Sequence, residues 1–445
     1  MKQAVRLNNW LIIFALVSST AFAQERHELS AKQAVDYGLK NSRQVQNALI
    51  GINLQKEMNR EITADAFPQI SGNINVNDYL SIPTNLLPGE FFGQPAGTYI
   101  PVKFGTKYNA SYGATLQQTL FDGRVLVGLQ ARKSSIDYAQ ATAEITQEQI
   151  KGNIYKIYYQ LLVGKLLITT IDANITSTEK LLNDTREIYK NGFAEKLDVN
   201  KVEVTLANLK TEKEKAQSRI NVGWLGLKLL MGMPGKDQLI LTDTLSEQDV
   251  QLDLLDQPYN YSDRKEFRQL QSLERLRTYN LKRYKLAYFP TVSLSASYIR
   301  NAQRNKFDFF KSGEPWFTTS VIGINISVPI FDGFARDARI KQAQLQLKQI
   351  QNNLEDYKML IDFEVDSSRS TMRSAIAAMQ FQRQNRQLAE DVYDQTRKKY
   401  ESGLGSNLEV TNAQAQLIIA QNNYYNALAD AIVAKIDYLK ASGKL

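Results

Sequence analysis

The sequence predicts a mainly α-helical chain with a membrane β-barrel portion, built from a duplicated helix–strand–strand–helix unit. Three observations point there. Long proline-free stretches carry apolar residues at heptad spacing, and four uncharged runs alternate apolar with small polar residues. A set of short motifs also recurs in the same order in both halves of the chain.

At the N-terminus, Met1-Lys2 and Arg6 precede the apolar run Trp10–Val17, and Ala21-Phe22-Ala23 comes just before Gln24. A basic start, a short apolar core and an Ala-x-Ala site read as a signal peptide over residues 1–23. The competing reading is a buried N-terminal helix. The run is shorter than the roughly 20 residues a spanning helix needs, and no later stretch reaches that length, so no transmembrane helix is expected in the mature chain.

Composition narrows the function classes. The chain has 445 residues, with 54 Lys+Arg against 46 Asp+Glu for a formal charge of +8, which falls to +6 without Lys2 and Arg6. No basic block stands out, so nucleic acid is not an expected partner. Cysteine is absent and His27 is the only histidine, which excludes disulfides, a Cys nucleophile, clustered His ligands and a Ser-His-Asp triad. No catalytic residue, cofactor or metal site is expected.

Strands come from period-two alternation. Ile70, Ile74 and Val76 oppose Ser71, Asn73, Asn75 and Asn77, and Tyr108, Ala110, Tyr112, Ala114 and Leu116 oppose Asn109, Ser111, Thr115 and Gln117. In the second half, Val292, Leu294, Ala296 and Tyr298 oppose Thr291, Ser293, Ser295 and Ser297, and Ile322, Ile324, Ile326, Val328 and Ile330 oppose Gly323, Asn325 and Ser327. Strands are therefore expected at about 69–80, 108–121, 290–300 and 318–331. An uncharged apolar face opposite a small polar face suits a barrel with lipid outside and water inside. A soluble antiparallel sheet uses the same alternation, but normally with Lys and Glu on its wet face.

Helices fill the rest. Residues 102–233 and 330–445 contain no proline, which costs about 3 kcal/mol inside a helix. Val410, Ala413, Leu417, Ala420, Tyr424, Ala427, Ala431, Ala434 and Tyr438 step by three and four, as coiled-coil seams do. The first half repeats this with Val199, Val202, Leu206, Leu209, Lys213, Ala216, Ile220, Gly223 and Leu227, where Lys213 breaks the pattern. A helix over 333–402 would be on the order of 100 Å long, a projecting stalk or tube.

The duplication rests on four pairs: Ala66-Phe67-Pro68 with Tyr288-Phe289-Pro290, Leu120-Phe121-Asp122-Gly123 with Ile330-Phe331-Asp332-Gly333, Tyr189–Gly192 with Tyr400–Gly403, and Leu197-Asp198-Val199 with Leu408-Glu409-Val410. The copies are expected at 24–233 and 261–445, joined by a linker at 234–260. Four strands cannot close a barrel when the smallest membrane barrels have about eight, and lipid does not tolerate open edges. Two copies of the chain would give eight strands and three would give twelve.

The repeated unit, the Phe-Asp-Gly turns at 121–123 and 331–333, the Tyr-x-x-Gly turns at 189–192 and 400–403, and Leu-Leu-Met-Gly-Met-Pro at 229–234 together resemble the TolC-like outer-membrane efflux proteins. The resemblance covers the whole mature chain. It implies a homotrimer whose 12-stranded β-barrel in the outer-membrane lipid continues into a long coiled-coil α-helical barrel in the periplasm. It also implies a periplasmic adaptor and an inner-membrane transporter as partners, and a gated passage without catalysis. The alternative class is a secreted structural coiled-coil stalk or adhesin.

The resemblance also nominates residues. Gly192, Phe193, Ala194, Gly403, Leu404 and Gly405 lie at turns that would dock the adaptor, while both glycines also suit a plain helix end. Glu409 and Asn412 take the place of the two acids, one helical turn apart, that often line the family's constriction, and Asp198 is the equivalent of Glu409 in the first copy. Ser406-Asn-Leu-Glu409 also reads as a capping box, so gating and capping are both open for Glu409. Phe121, Asp122, Gly123, Phe331, Asp332 and Gly333 mark the barrel–helix junctions, with Asp capping and Phe near the membrane boundary.

Overall fold

The computed structural model describes residues 26–245 and 257–445. The expected signal peptide, 1–23, lies outside them, as does the middle of the 234–260 linker. The chain is mostly helical with some sheet. Its elements run β1 (Arg26–Leu29), α1 (Ala31–Asn41), α2 (Arg43–Ala64), β2 (Gln69–Asp78), β3 (Thr84–Pro88), β4 (Tyr99–Lys103), β5 (Tyr108–Phe121), α3 (Gly123–Lys190), α4 (Lys196–Met231), β6 (Gln238–Leu241), α5 (Lys265–Leu286), β7 (Thr291–Arg304), β8 (Phe317–Ser327), α6 (Ala335–Glu401) and α7 (Asn407–Ala441). Two compact units form, and each sequence copy contributes to both. Among the described residues one unit holds 26–52, 139–245, 257–269 and 354–445, and the other 53–138 and 270–353.

The smaller unit carries an antiparallel sheet in the order β2-β5-β7-β8. Its register aligns Ile70, Leu116, Ala296 and Ile322 across all four strands, and Ser71, Thr115, Ser297 and Val321 in the next row. One face therefore carries Ile, Leu, Val, Ala and Tyr, with Ile70, Ile74, Ile322 and Ile324 largely exposed. The opposite face carries hydroxyls and amides that bond across strands, as Ser71 does with Thr115 at 2.7 Å. Among the described residues the outer edges of β2 and β8 have no partner strand.

The strand limits differ from the sequence expectation in three places. β8 stops at Ser327 rather than near 331, because Pro329 lacks the amide that would continue the ladder. β7 runs on to Arg304, whose guanidinium is buried against Asp308, Glu314 and the Phe309 ring and ties the 305–316 loop to the strand. β2 ends at Asp78, and the long loop that follows folds its own hairpin, β3 against β4.

The larger unit is built on helical seams. All nine α7 positions from Val410 to Tyr438 that the heptad pattern selects are buried. The misfit Lys213 on α4 reaches Asp172 on α3 at 2.7 Å, so its charge sits at the seam's edge rather than in it. Close approach is set by glycine: a Cβ at Gly223 would meet Leu161 at 2.9 Å, and one at Gly164 would meet Ile220 at 3.0 Å.

One element was not legible in the sequence. β1 pairs in parallel with β6, so the expected linker contains a strand. Tyr158 of α3 holds this small sheet. Its buried hydroxyl donates to the Leu29 carbonyl at 2.9 Å and accepts from the Asp243 amide at 3.3 Å. Burial pushes its pKa up to about 12, so it stays a donor throughout the physiological range.

Tyr158→Phe leaves the Asp243 amide without its side-chain partner and is expected to cost about 1–3 kcal/mol. Hydrogen exchange checks it: the Asp243 amide should lose protection, and unchanged protection would show that the tyrosine does not hold this sheet.

Candidate functional sites at the helical turns and strand–helix junctions

Two helix pairs turn back at equivalent places in the larger unit. α3 ends on Gly192, at φ 80°, with Gly192 N–H donating to Tyr189 and Phe193 N–H to Ile188. α6 ends on Gly403, at φ 74°, with Gly403 N–H donating to Tyr400 and Leu404 N–H to Lys399. Both are left-handed helix ends that a Cβ would strain. Phe193 is 85% exposed and Leu404 77%, so each turn presents one bare hydrophobe at its tip. Ala194 and Gly405 follow directly in the two turns, and a Cβ at Gly405 would meet the Tyr400 amide at 3.2 Å and the Glu409 carboxylate at 3.4 Å.

A shared apolar core lies beneath the turns, formed by Leu181, Leu182, Val199, Val202, Tyr393, Val410, Ala413 and Leu417. Beside it runs a polar ladder between α3 and α7. Thr170 bonds Tyr425 at 2.7 Å, Asn174 bonds Gln421 at 2.7 Å, Gln414 donates to Thr178, and Asn407 donates to Thr185 at 3.2 Å. The sequence did carry a signal for this ladder, since Asn407, Gln414 and Gln421 recur every seven residues beside the apolar seam.

The two acids behave differently. Asp198 closes its own helix cap by accepting the Glu195 N–H at 3.2 Å, and Lys201 lies 3.6 Å away. At the second turn only half of the expected capping box forms. Ser406 Oγ accepts the Glu409 amide at 3.3 Å, but the Glu409 carboxylate turns to Lys399 Nζ at 3.4 Å. This ion pair is half exposed and contributes little stability. Glu409, Asn412, Gln416 and Ile419 form one stripe of α7, facing Leu388, Val392, Thr396 and Lys399 of α6 across an open groove.

The strand–helix junctions belong to the smaller unit. Asp122 caps α3 by accepting the Arg124 N–H at 2.8 Å, and Asp332 caps α6 by accepting the Arg336 N–H at 3.1 Å. The neighbouring arginine side chain bonds each carboxylate and holds its pKa below the usual range. Gly123 is the first residue of α3, and a Cβ there would meet Leu286 of α5 at 2.7 Å. In the second copy Gly333 and Phe334 both take positive φ, so α6 starts only at Ala335. The Phe331 and Phe334 rings meet edge to face at 5.6 Å.

Among the described residues no cluster of His, Cys, Asp or Glu could hold a metal ion, and no helix is long and apolar enough to cross a membrane.

Residues 262–444 match the family model described as outer membrane efflux protein. Over 428 residues the chain is 23% identical to the probable efflux pump outer membrane protein TtgC of Pseudomonas putida, covering 94% of this chain and 83% of TtgC. It is 20% identical over 333 residues to the proteases secretion protein PrtF of Dickeya chrysanthemi, covering 74% of this chain and 70% of PrtF. Its fold is similar to that of the outer membrane protein VceC from Vibrio cholerae, with a TM-score of 0.72 at 17% identity over 93% of this chain and 96% of VceC. The matched second copy, its motifs repeated in order through the first, and a fold shared along the chain all point the same way: the chain is similar to outer membrane efflux proteins.

Proposed function

We propose that the chain is the outer-membrane exit duct of a tripartite efflux or type I secretion system, passing substrates from an inner-membrane transporter and a periplasmic adaptor to the outside. The four-stranded sheet carries this reading. Its apolar face suits lipid, its opposite face suits water, and its two open edges need partners that only further copies of the chain supply. Three copies give twelve strands. β2 and β8 run in opposite directions, so the β8 of one copy pairs antiparallel with the β2 of the next, like every other pair in the sheet. The helical part lies in the periplasm.

A stalk or adhesin would share the helical seams. It would leave Ile70, Ile74, Val76, Ile322, Ile324 and Ile326 facing water, each more than half exposed in the single chain. The duct reading gives that face a solvent.

Within the duct, the three Glu409 carboxylates form the constriction, with Asn412 one turn further along α7. Lys399, at 3.4 Å, is the local counter-charge that competes with a passing cation. Asp198, engaged in its own cap, contributes less. The turns at Gly192-Phe193-Ala194 and Gly403-Leu404-Gly405 meet the adaptor, through the two bare hydrophobes that each copy presents.

Native mass spectrometry of the detergent-extracted protein should give a complex of three chains, and a soluble monomer that never enters membranes would end this reading. Glu409→Gln leaves the Ser406 cap intact, because the capping donor is a backbone amide. In single-channel recordings it should raise the half-blocking concentration of a divalent cation about tenfold, the change that ~1.4 kcal/mol brings. An unchanged cation dependence would remove Glu409 from the gate. Phe193→Ser with Leu404→Ser should abolish cross-linking to the adaptor while the trimer mass is retained, and undiminished cross-linking would place the docking surface elsewhere.

A further inference from the structure

The positive charge of this chain is not evenly spread. The smaller unit holds twenty Lys and Arg against twelve Asp and Glu, a surplus of eight that equals the net charge of the whole sequence. Much of that surplus lies on the helices that border the strands: residues 270–290 alone carry five cations and one acid.

The order along the chain is consistent at this end of the sheet. Apolar strand residues come first. Aromatic side chains follow, with Phe67, Phe121, Tyr288, Phe289, Phe331 and Phe334 all between 40% and 75% exposed. Exposed cations come next, with Lys282, Arg283 and Lys285 in the last turns of α5 and Arg339 in the first turns of α6. Hydrocarbon, interface and headgroup occupy the same order in a leaflet, and the headgroup layer is about 5–8 Å deep, roughly one helical turn.

None of these four cations is ion-paired, as several of their neighbours are, and Arg339 acts on the Asp332 carboxylate only from beyond ion-pair distance. Arg124 and Arg336 are committed to Asp122 and Asp332, and Lys341 to Asp337. Lys282 donates to the neutral Gln130 amide at 2.8 Å, and Arg283 lies over the Tyr284 ring. Among the described residues no acid lies within ion-pair distance of Lys282, Arg283, Lys285 or Arg339.

We propose that Lys282, Arg283, Lys285 and Arg339 form a docking surface for the phosphate groups of anionic phospholipids, in the leaflet on the helix side of the strands. The proposal rests on the outer-membrane reading above. Repeated in every copy, the surface makes a basic collar that fixes the depth of the strands in the bilayer by charge, as juxtamembrane basic clusters do elsewhere. In the second copy this end of the strands is thus held by lipid phosphate as well as by the aromatic side chains.

The test uses the full-length complex and native mass spectrometry with added lipid. The wild-type complex should retain phosphatidylglycerol over phosphatidylcholine by about tenfold, and added salt should weaken that preference. The Lys282→Gln/Arg283→Gln/Lys285→Gln/Arg339→Gln variant should lose the preference while keeping the mass of the assembled complex. A charge-retaining variant, Lys282→Arg/Lys285→Arg, should keep it. Equal retention of both lipids by the wild type, or a preference that survives the fourfold variant, overturns the proposal. So does a variant that keeps its lipid preference but changes the anion–cation selectivity of conductance, because the cations then face the lumen. Failure of the wild type to insert into neutral phosphatidylcholine vesicles would instead overturn the outer-membrane reading itself, and the collar with it.

Discussion

A peptide group without a hydrogen-bond partner costs several kcal/mol in hydrocarbon, and this constraint governs the strands of the chain. β2 and β8 each present an open edge of ten or eleven residues, far more than any gain from burying isoleucines in lipid would offset. On the duct reading the sheet is one part of a closed structure. Its even strand number and the opposite directions of its edge strands let identical copies close it without a parallel pair. The side chains follow the same logic. The apolar row is free of charge along the strands until Arg300, which sits beside the 305–316 loop and donates to the Trp316 carbonyl.

The helical seams are built for close neighbours. Alanine fills five of the nine buried seam positions of α7, which keeps backbones near one another at small entropic cost. Such a seam fixes distance better than it fixes register, because one alanine packs much like the next. The polar ladder supplies register. A slide of α7 against α3 by one turn would leave Asn407 and Gln414, both buried, without Thr185 and Thr178, and unpaired buried amides are strongly disfavoured.

The sequence was most legible where a single periodicity acts alone. Alternation located the four long strands to within a few residues, and heptad spacing picked out seam residues that are buried. It was least legible where the deciding contact lies far away in the chain. β1 and β6 are four residues each, too short for any periodicity, and they pair across more than two hundred residues through a tyrosine on a third element. The ends of strands fell between these cases. Pro329 was visible, and its missing amide explains why β8 stops early, whereas the extension of β7 depends on Arg304 meeting a loop whose fold alternation does not encode.

The two copies separate what the fold requires from what one position has been freed to do. Both helical turns need a left-handed glycine and both junctions need an aspartate cap, and both copies have them. At the residue after Leu197 and Leu408 the copies diverge. Asp198 is short and spends its carboxylate on its own helix end, whereas Ser406 caps the second helix through a hydroxyl and leaves the Glu409 carboxylate outside the cap. Glu409 is longer by one methylene, faces the groove with Asn412, and has only a half-exposed lysine for company. A carboxylate that a helix does not need for its own stability can respond to an ion. The asymmetry of the caps is the reason the proposed ion-sensitive element is assigned to the second copy, at one acid per chain.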